Sequence, residues 1–236
     1  MKLLCSLLQF TTILPLGKPQ DLGIFARHSY IYPIAGYIIG ALVSIPVFFI
    51  TDHYVAAAVA VAGLMLITGA HHFDGLLDLG DGLMAHGDKE KRVRALTDRN
   101  VGAGGIAAGL VTTLLLFAGL AAASSIVIAL IIGEVCAKFS MTFLTSYGIP
   151  FREGIHSFLH QSSREYFPWI AALLCIPLIF LPVSLIKLVG VGIIMIICPV
   201  ILLIISKRLF GGVNGDVVGA SNEITRACAV IALVVL

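Results

Sequence analysis

Three carboxylates, Asp74, Asp78 and Asp81, recur at i, i+4 and i+7 within His71-His72-Phe73-Asp74-Gly75-Leu76-Leu77-Asp78-Leu79-Gly80-Asp81-Gly82, just past an apolar run. On a helix of 3.6 residues per turn they fall within about 40° of one another, so the spacing predicts one acidic stripe converging on a point. Like charges that close repel, and a hard divalent cation with oxygen ligands, Mg²⁺ with Mn²⁺ as the alternative, would hold them together. A solvated helix end, or pairing with Arg92, Arg94 and Arg99, is the plainer reading. Against it, the chain has only 13 acidic residues, and these three sit among glycines that let a ligand approach the backbone. His72 lies off the stripe, where a substrate contact or simple packing fits better than ligation of the same ion.

Two further clusters complement the acids. Asp98-Arg99-Asn100-Val101-Gly102-Ala103-Gly104-Gly105 places an acid and a base before a glycine-rich helix start, where backbone N–H groups favour an anion. Helix packing would explain the same glycines. The run from Lys207 to Ala220 sets Lys207 and Arg208 before Gly211, Gly212 and Asp216. Acids for a divalent ion, cations and glycine-rich turns together are what phosphoryl transfer requires. No GxxxxGK[ST] loop, kinase motif set or GxSxG elbow is present. The residue chemistry therefore reads as a phosphotransferase and stops short of a substrate.

The elements that must position these groups are apolar. Of 236 residues 59% are hydrophobic and 12% charged, with mean hydropathy +1.04, whereas a soluble domain carries about 25% charged residues. The bilayer must supply much of the solvent. A net charge of +2, with no basic run interleaved with aromatics, points to no nucleic-acid partner. Since a span takes about 20 apolar residues, runs near 31–50, 54–71, 102–120, 124–147, 167–186, 188–206 and 217–236 predict about seven spans. They form one all-α polytopic domain over 1–236, preceded by a short interfacial or re-entrant helix in the first thirteen residues. Lys2 and the leucines after it mimic a signal peptide, but no small-residue cleavage site follows.

Lys18, Arg27, Lys89, Lys91, Arg92, Arg94, Arg99, Arg152, Arg164, Lys207 and Arg208 all fall in one set of loops, and the alternate loops hold Lys187 alone. The positive-inside rule puts the basic loops and the N-terminus in the cytoplasm and the C-terminus outside, in an inner membrane. Glu223 and Arg226 within the last span must face protein or water, and Glu134 and Lys138, one turn apart, can satisfy each other. Five unpaired cysteines read as small core hydrophobes. No internal repeat supports an inverted-repeat transporter.

These motifs resemble the cobalamin synthase family, the adenosylcobinamide-GDP ribazoletransferases, almost end to end. Phe10-Thr11-Thr12-Ile13-Leu14-Pro15 is similar to the family's F-x-T-R-L-P, and Gly69 to Gly82 to its G-G-x-H-x-D-G-L-x-D-x-x-D-G. Asp98 to Gly102 is similar to D-S-R-x-G, Arg152-Glu153-Gly154 to R-x-E-G-L-G, and Lys207 to Glu223 to K-R-x-x-G-G-x-T-G-D-x-x-G-A-x-x-E. The resemblance implies a Mg²⁺-dependent membrane enzyme of late vitamin B12 synthesis. In it adenosylcobinamide-GDP donates a phosphoryl group to α-ribazole or its 5′-phosphate and GMP leaves.

Carried over by position, Asp74, Asp78 and Asp81 would hold the metal, with Asp98 and Asp216 as further ligands or phosphate-side partners and Asp81 or Asp78 as the base. His72, Arg99, Asn100, Arg152, Lys207, Arg208, Gly211 and Gly212 would meet substrate or phosphate. Ile13, Asn100, Asn214 and Lys138 depart from the family's Arg, Arg, Thr and Arg, which matters for phosphate because Lys cannot reproduce the planar fork of Arg. A homo-oligomer is compatible with this reading. Other readings are a CDP-alcohol phosphotransferase, whose Ala-Arg after the first acids is missing here, and a cation transporter using the aspartates near mid-membrane.

Overall fold

Capping side chains, glycine and proline decide where the chain breaks. The computed structural model describes residues 1–236 and contains α1 (Lys2–Thr11), α2 (Leu22–Ala26), α3 (Tyr32–Phe48), α4 (His53–Thr68), α5 (His71–Met84) and α6 (Lys89–Leu96). There follow α7 (Ala103–Ala122), α8 (Ile126–Tyr147), α9 (Ile155–Ser162), α10 (Phe167–Cys175), α11 (Leu185–Leu209) and α12 (Gly215–Val235). Asp52 starts α4 by accepting from the Val55 N–H at 2.9 Å, and Asn214 starts α12 by accepting from the Val217 N–H at 3.1 Å. At the other end of α4, Gly69 and Ala70 both take the left-handed conformation, with φ of 62° and 56°. Two such residues in a row swing the chain through 96° into α5.

Five helices, α3, α7, α8, α11 and α12, are long and apolar enough to cross a membrane; the count rises to seven if each of two bent pairs, α4 with α5 and α9 with α10, is one span. This is the polytopic all-α architecture that composition predicts. One predicted span differs in form. The run 167–186 is α10 followed by a 3₁₀ segment, Ile176–Phe180, and then a break at Leu181, which is extended at ψ 146°. Pro182 causes it, because a residue before proline is pushed out of the helical region.

α8 is the central element, with 78% of its apolar window buried, while α11 with 22% turns Ile193, Ile197, Ile201 and Ile204 outward as a lipid-facing surface. Close approach of α3 to α8 depends on Gly36, where a Cβ would stand 2.7 Å from the Glu134 carbonyl oxygen. The acids and bases inside the bundle find one another, as lipid requires. Lys138 lies 3.4 Å from Glu134 and bonds Asn222 at 2.6 Å, and Arg226 donates to both Glu134 and Glu223. Polar loops gather at one end of the bundle, where Lys89 lies against Gly211 and Arg152 against Asp216. The opposite end brings together Ala122 to Ser125, Pro182 to Ser184 and Lys187.

Candidate active site

α5 forms as one continuous helix over the acidic motif, and glycines decide what it touches. A Cβ on Gly75 would lie 2.5 Å from the Asp216 carbonyl oxygen, and one on Gly219 3.2 Å from the Cα of His72. The first turn of α12 is therefore in backbone contact with α5, which carries Asp216 to the acidic stripe. On its other side α5 meets α7, where a Cβ on Gly80 would stand 2.7 Å from the Gly104 carbonyl oxygen. Small residues thus wedge the acidic helix between two spans.

Asp216 is held from two directions. Asn214 donates its amide to the carboxylate at 2.5 Å, and the Arg152 guanidinium lies 3.3 Å away. Arg152 is brought there by a short parallel bridge between Pro150 and Val213, in which the Val213 N–H donates to the Ile149 carbonyl at 2.9 Å. Gly212 permits the bridge, because a side chain there would strike the Ile149 carbonyl. Arg152 is half exposed, so its ion pair is worth little in itself and can open to a phosphate.

Asp78 feels this gathering most. α5 lies beyond the apolar spans, yet partial burial and then the charges of Asp216, Asp74 and Asp81 push the Asp78 carboxyl up to about 7, with Arg152 opposing. Burial, assisted by Lys138 and Arg226, keeps His72 neutral.

Two expectations for the acids need correction. Asp81 shares the helix with Asp74 and Asp78 but its carboxylate points to α7, accepting from the Gly102 N–H at 2.7 Å and the Gly105 N–H at 2.8 Å. The anion predicted for that glycine-rich helix start is the chain's own Asp81, each of whose oxygens accepts one backbone N–H of α7 or its N-cap. Asp81→Asn is expected to lower stability by about 1–2 kcal/mol, the scale of a lost helix cap. Thermal unfolding in detergent checks it; an unchanged midpoint would contradict the capping role.

Asp98 stands apart as well. It is exposed and accepts from both the backbone N–H and the side-chain amide of Asn100 at 3.0 Å, and those bonds hold its carboxyl below the ordinary range. Asp98, Arg99 and Asn100 thus form a solvated turn. The convergence expected of Asp74, Asp78 and Asp81 on one point is absent, and no three His, Cys, Asp or Glu side chains stand in ligating geometry. What the fold brings near enough for their charges to act on one another, without forming a closed ligand set, are Asp74, Asp78 and Asp216. Their donors are all carboxylate oxygens, the chemistry that Mg²⁺ accepts when one or two carboxylates and several waters hold it.

The remaining predicted residues fall into two places. Lys207 and Arg208 are exposed at the end of α11, and Gly211 turns the chain with φ 85° beneath Lys89. His72 is buried and lines a cavity of about 280 Å³ together with Asp74 and Asp216. Tyr32, Thr145 and His156 line the same cavity. They are isolated in sequence, and no spacing or motif singles them out.

The match to known proteins runs along the same segments. A family model described as Cobalamin-5-phosphate synthase matches residues 3–234. The chain belongs to this family. Similar relatives include the adenosylcobinamide-GDP ribazoletransferase of Methanocella arvoryzae, 34% identical over 93% of this chain and 90% of the relative. That of Methanococcoides burtonii is 32% identical over 96% and 89%, and one from Archaeoglobus fulgidus is 33% identical over 100% and 98%. No solved structure matches.

Membership of the cobalamin-5-phosphate synthase family gives no support to the CDP-alcohol or transporter readings, and the structure accounts for this chain's departures from the family motifs. Asn214, in place of Thr, caps α12 and also supports Asp216. Ile13 bonds the end of α4 through its backbone N–H, at 2.9 Å from the Ile67 carbonyl. Lys138 belongs to the buried charge network and reaches the acidic site only through its charge on His72.

Proposed function

We propose that this chain is a Mg²⁺-dependent adenosylcobinamide-GDP ribazoletransferase whose active site faces the cytoplasm. The supporting observation is the meeting of Asp74 and Asp78 on α5 with Asp216 on α12, beside the half-exposed guanidinium of Arg152. Asp74, Asp78 and Asp216 would hold the ion, which when bound neutralises charge developing on the transferred phosphoryl group. Arg152 clamps a phosphate oxygen bidentately once it leaves Asp216. A hydroxyl oxygen of α-ribazole, free or 5′-phosphorylated, forms the new bond to phosphorus, the bond from that phosphorus to the GMP oxygen breaks, and GMP departs. The hydroxyl proton passes to a carboxylate oxygen of Asp78. Lys207, Arg208 and Lys89, exposed at the same end, attract the anionic donor. The excess of Lys and Arg in the loops at this end supports a cytoplasmic active site and N-terminus.

The deciding experiment uses purified protein in liposomes with adenosylcobinamide-GDP and α-ribazole, with and without Mg²⁺, and follows GMP and corrinoid by chromatography. Metal-dependent GMP formation matched by cobalamin is expected; folded protein that forms neither would overturn the proposal. The raised Asp78 also sets a pH dependence. Below about 7 a proton occupies Asp78 and a cation must displace it, so Mg²⁺ affinity falls about tenfold per pH unit toward pH 5 and levels off above 7. Titration of Mg²⁺ by calorimetry at several pH values checks this, and a flat profile would contradict it.

A further inference from the structure

Four polar atoms stand out in the cavity beside the acids. Tyr32 Oη, His72 Nδ1, Thr145 Oγ1 and His156 Nδ1 are all buried and none makes a well-formed hydrogen bond, the Tyr32 and Thr145 hydroxyls lying near each other. Their residues are 0%, 6%, 0% and 3% exposed and come from α3, α5, α8 and α9, yet all four line this one space. Leaving such a group unpaired costs about 1–3 kcal/mol each, so four of them from different helices around one cavity point to a site shaped for a polar ligand. The state of one atom follows from its ring. His156 Nε2 lies 2.8 Å from the Gly148 carbonyl oxygen, which can only accept, so Nε2 carries the hydrogen and Nδ1 presents a bare lone pair. Burial holds the imidazole neutral, pushing it down to about 4. The occupant must therefore donate a hydrogen bond to His156.

Charge and size narrow the occupant further. No Lys or Arg lines the cavity itself, so its inner walls offer hydrogen bonds and apolar contact rather than a phosphate clamp, and any charged group of the occupant lies at the rim, where Asp216 meets Arg152. At about 280 Å³ the space is near the lower end of ligand pockets, about 300–1,000 Å³, far too small for a corrinoid. Phe10, Met141 and Leu159 add apolar walls, suited to a flat ring. His71, Asp74, Ile155 and Gly215 are exposed at the rim.

On the reading of the reaction given above, we propose that this cavity binds the heteroaromatic nucleoside part of the acceptor. Its ring lies among Phe10, Tyr32 and Leu159, its other hydroxyls meet His156 Nδ1, Thr145 and Tyr32, and its attacking hydroxyl reaches the rim at Asp74 and Asp216, the two carboxylates that neighbour the base Asp78. The phosphoryl donor then approaches from the Arg152 side of Asp216, so the two substrates enter from different directions.

The test separates the two substrates. Tyr32→Phe and Thr145→Val each delete one hydroxyl with little change of volume, and both are assayed in liposomes after monodisperse elution. Each is expected to raise the KM for α-ribazole about tenfold while the KM for adenosylcobinamide-GDP stays within about twofold. Equal changes in both, or an unchanged KM for α-ribazole, would mean that the cavity holds only water and would overturn the assignment. Equilibrium dialysis of labelled α-ribazole against the wild type and both variants gives a readout independent of turnover. Binding to the wild type that weakens in the variants supports the site even if GMP is never released, a result that would sink the reaction alone; no binding to the folded wild type overturns the site.

Discussion

Asp78→Asn is expected to lower GMP release by about 10³-fold while making the metal-free protein more stable above neutral pH. Loss of a general base costs about 10²–10⁴ in rate, and the same substitution removes one carboxylate from the proposed ion site. The gain in stability has a different origin. Asp78 is pushed up to about 7 by burial and by Asp216, Asp74 and Asp81. A raised carboxyl keeps a proton in the folded state that the unfolded chain has already lost, so metal-free stability declines from about pH 4 to about pH 7 and stays low above it. Asparagine carries no charge to repel. Asp78 is partly open to solvent, and after screening the expected gain is about 1 kcal/mol, or about 2–4 °C in Tm. Saturating Mg²⁺ should abolish or reverse the difference, because it stabilises the wild type alone. Turnover together with thermal unfolding, with and without Mg²⁺ at pH 8, checks both halves. Near wild-type activity would remove Asp78 from the chemistry, and a lower Tm without metal would show that the acids do not strain the fold.

Arg226→Met is expected to cost about 3–5 kcal/mol of stability, the scale for removing one partner from a buried ion group. Arg226 is 3% exposed and donates to Glu134 and Glu223, while Lys138 supplies the only other cation of the network. Two acids and two bases balance inside the bundle, and the substitution leaves a net negative charge between α8 and α12 where lipid and apolar side chains cannot solvate it. The double variant Arg226→Met with Glu223→Gln restores neutrality through Glu134 and Lys138 and should recover a large part of the loss. Unfolding in detergent measured for each single and the double variant tests this. A small effect of Arg226→Met, or additive losses in the double variant, would mean that the charges do not act as one unit.

Sequence by itself determined the class of solvent, the helical architecture and the chemical inventory. A mean hydropathy of +1.04 with 12% charge leaves no surface for water, and long apolar runs can satisfy their backbone in lipid only as helices. The acidic helix was legible from local spacing because i, i+4 and i+7 obey the helix period, and α5 forms over His71–Met84 as that period requires. Sharing a face does not make side chains share a target, however. Asp81 is drawn away by two backbone N–H groups of α7, and Asp216 is brought in from α12 because Gly75 lets two backbones touch. Both outcomes depend on contacts between residues far apart in the chain, which local periodicity does not encode.

The cavity was illegible for the same reason. Tyr32, Thr145 and His156 are single polar residues in separate apolar or loop segments, and only the packing of α3, α8 and α9 around α5 turns them toward one space. Likewise Glu134 and Lys138 read as a local pair from their spacing, whereas the charges of Glu223 and Arg226, more than 80 residues away, complete the group. Composition and period report what each segment buries and which residues lie on one side of it. Which neighbour takes up each polar atom is decided by tertiary packing, since a buried donor or acceptor must find its partner wherever the chain folds back to it.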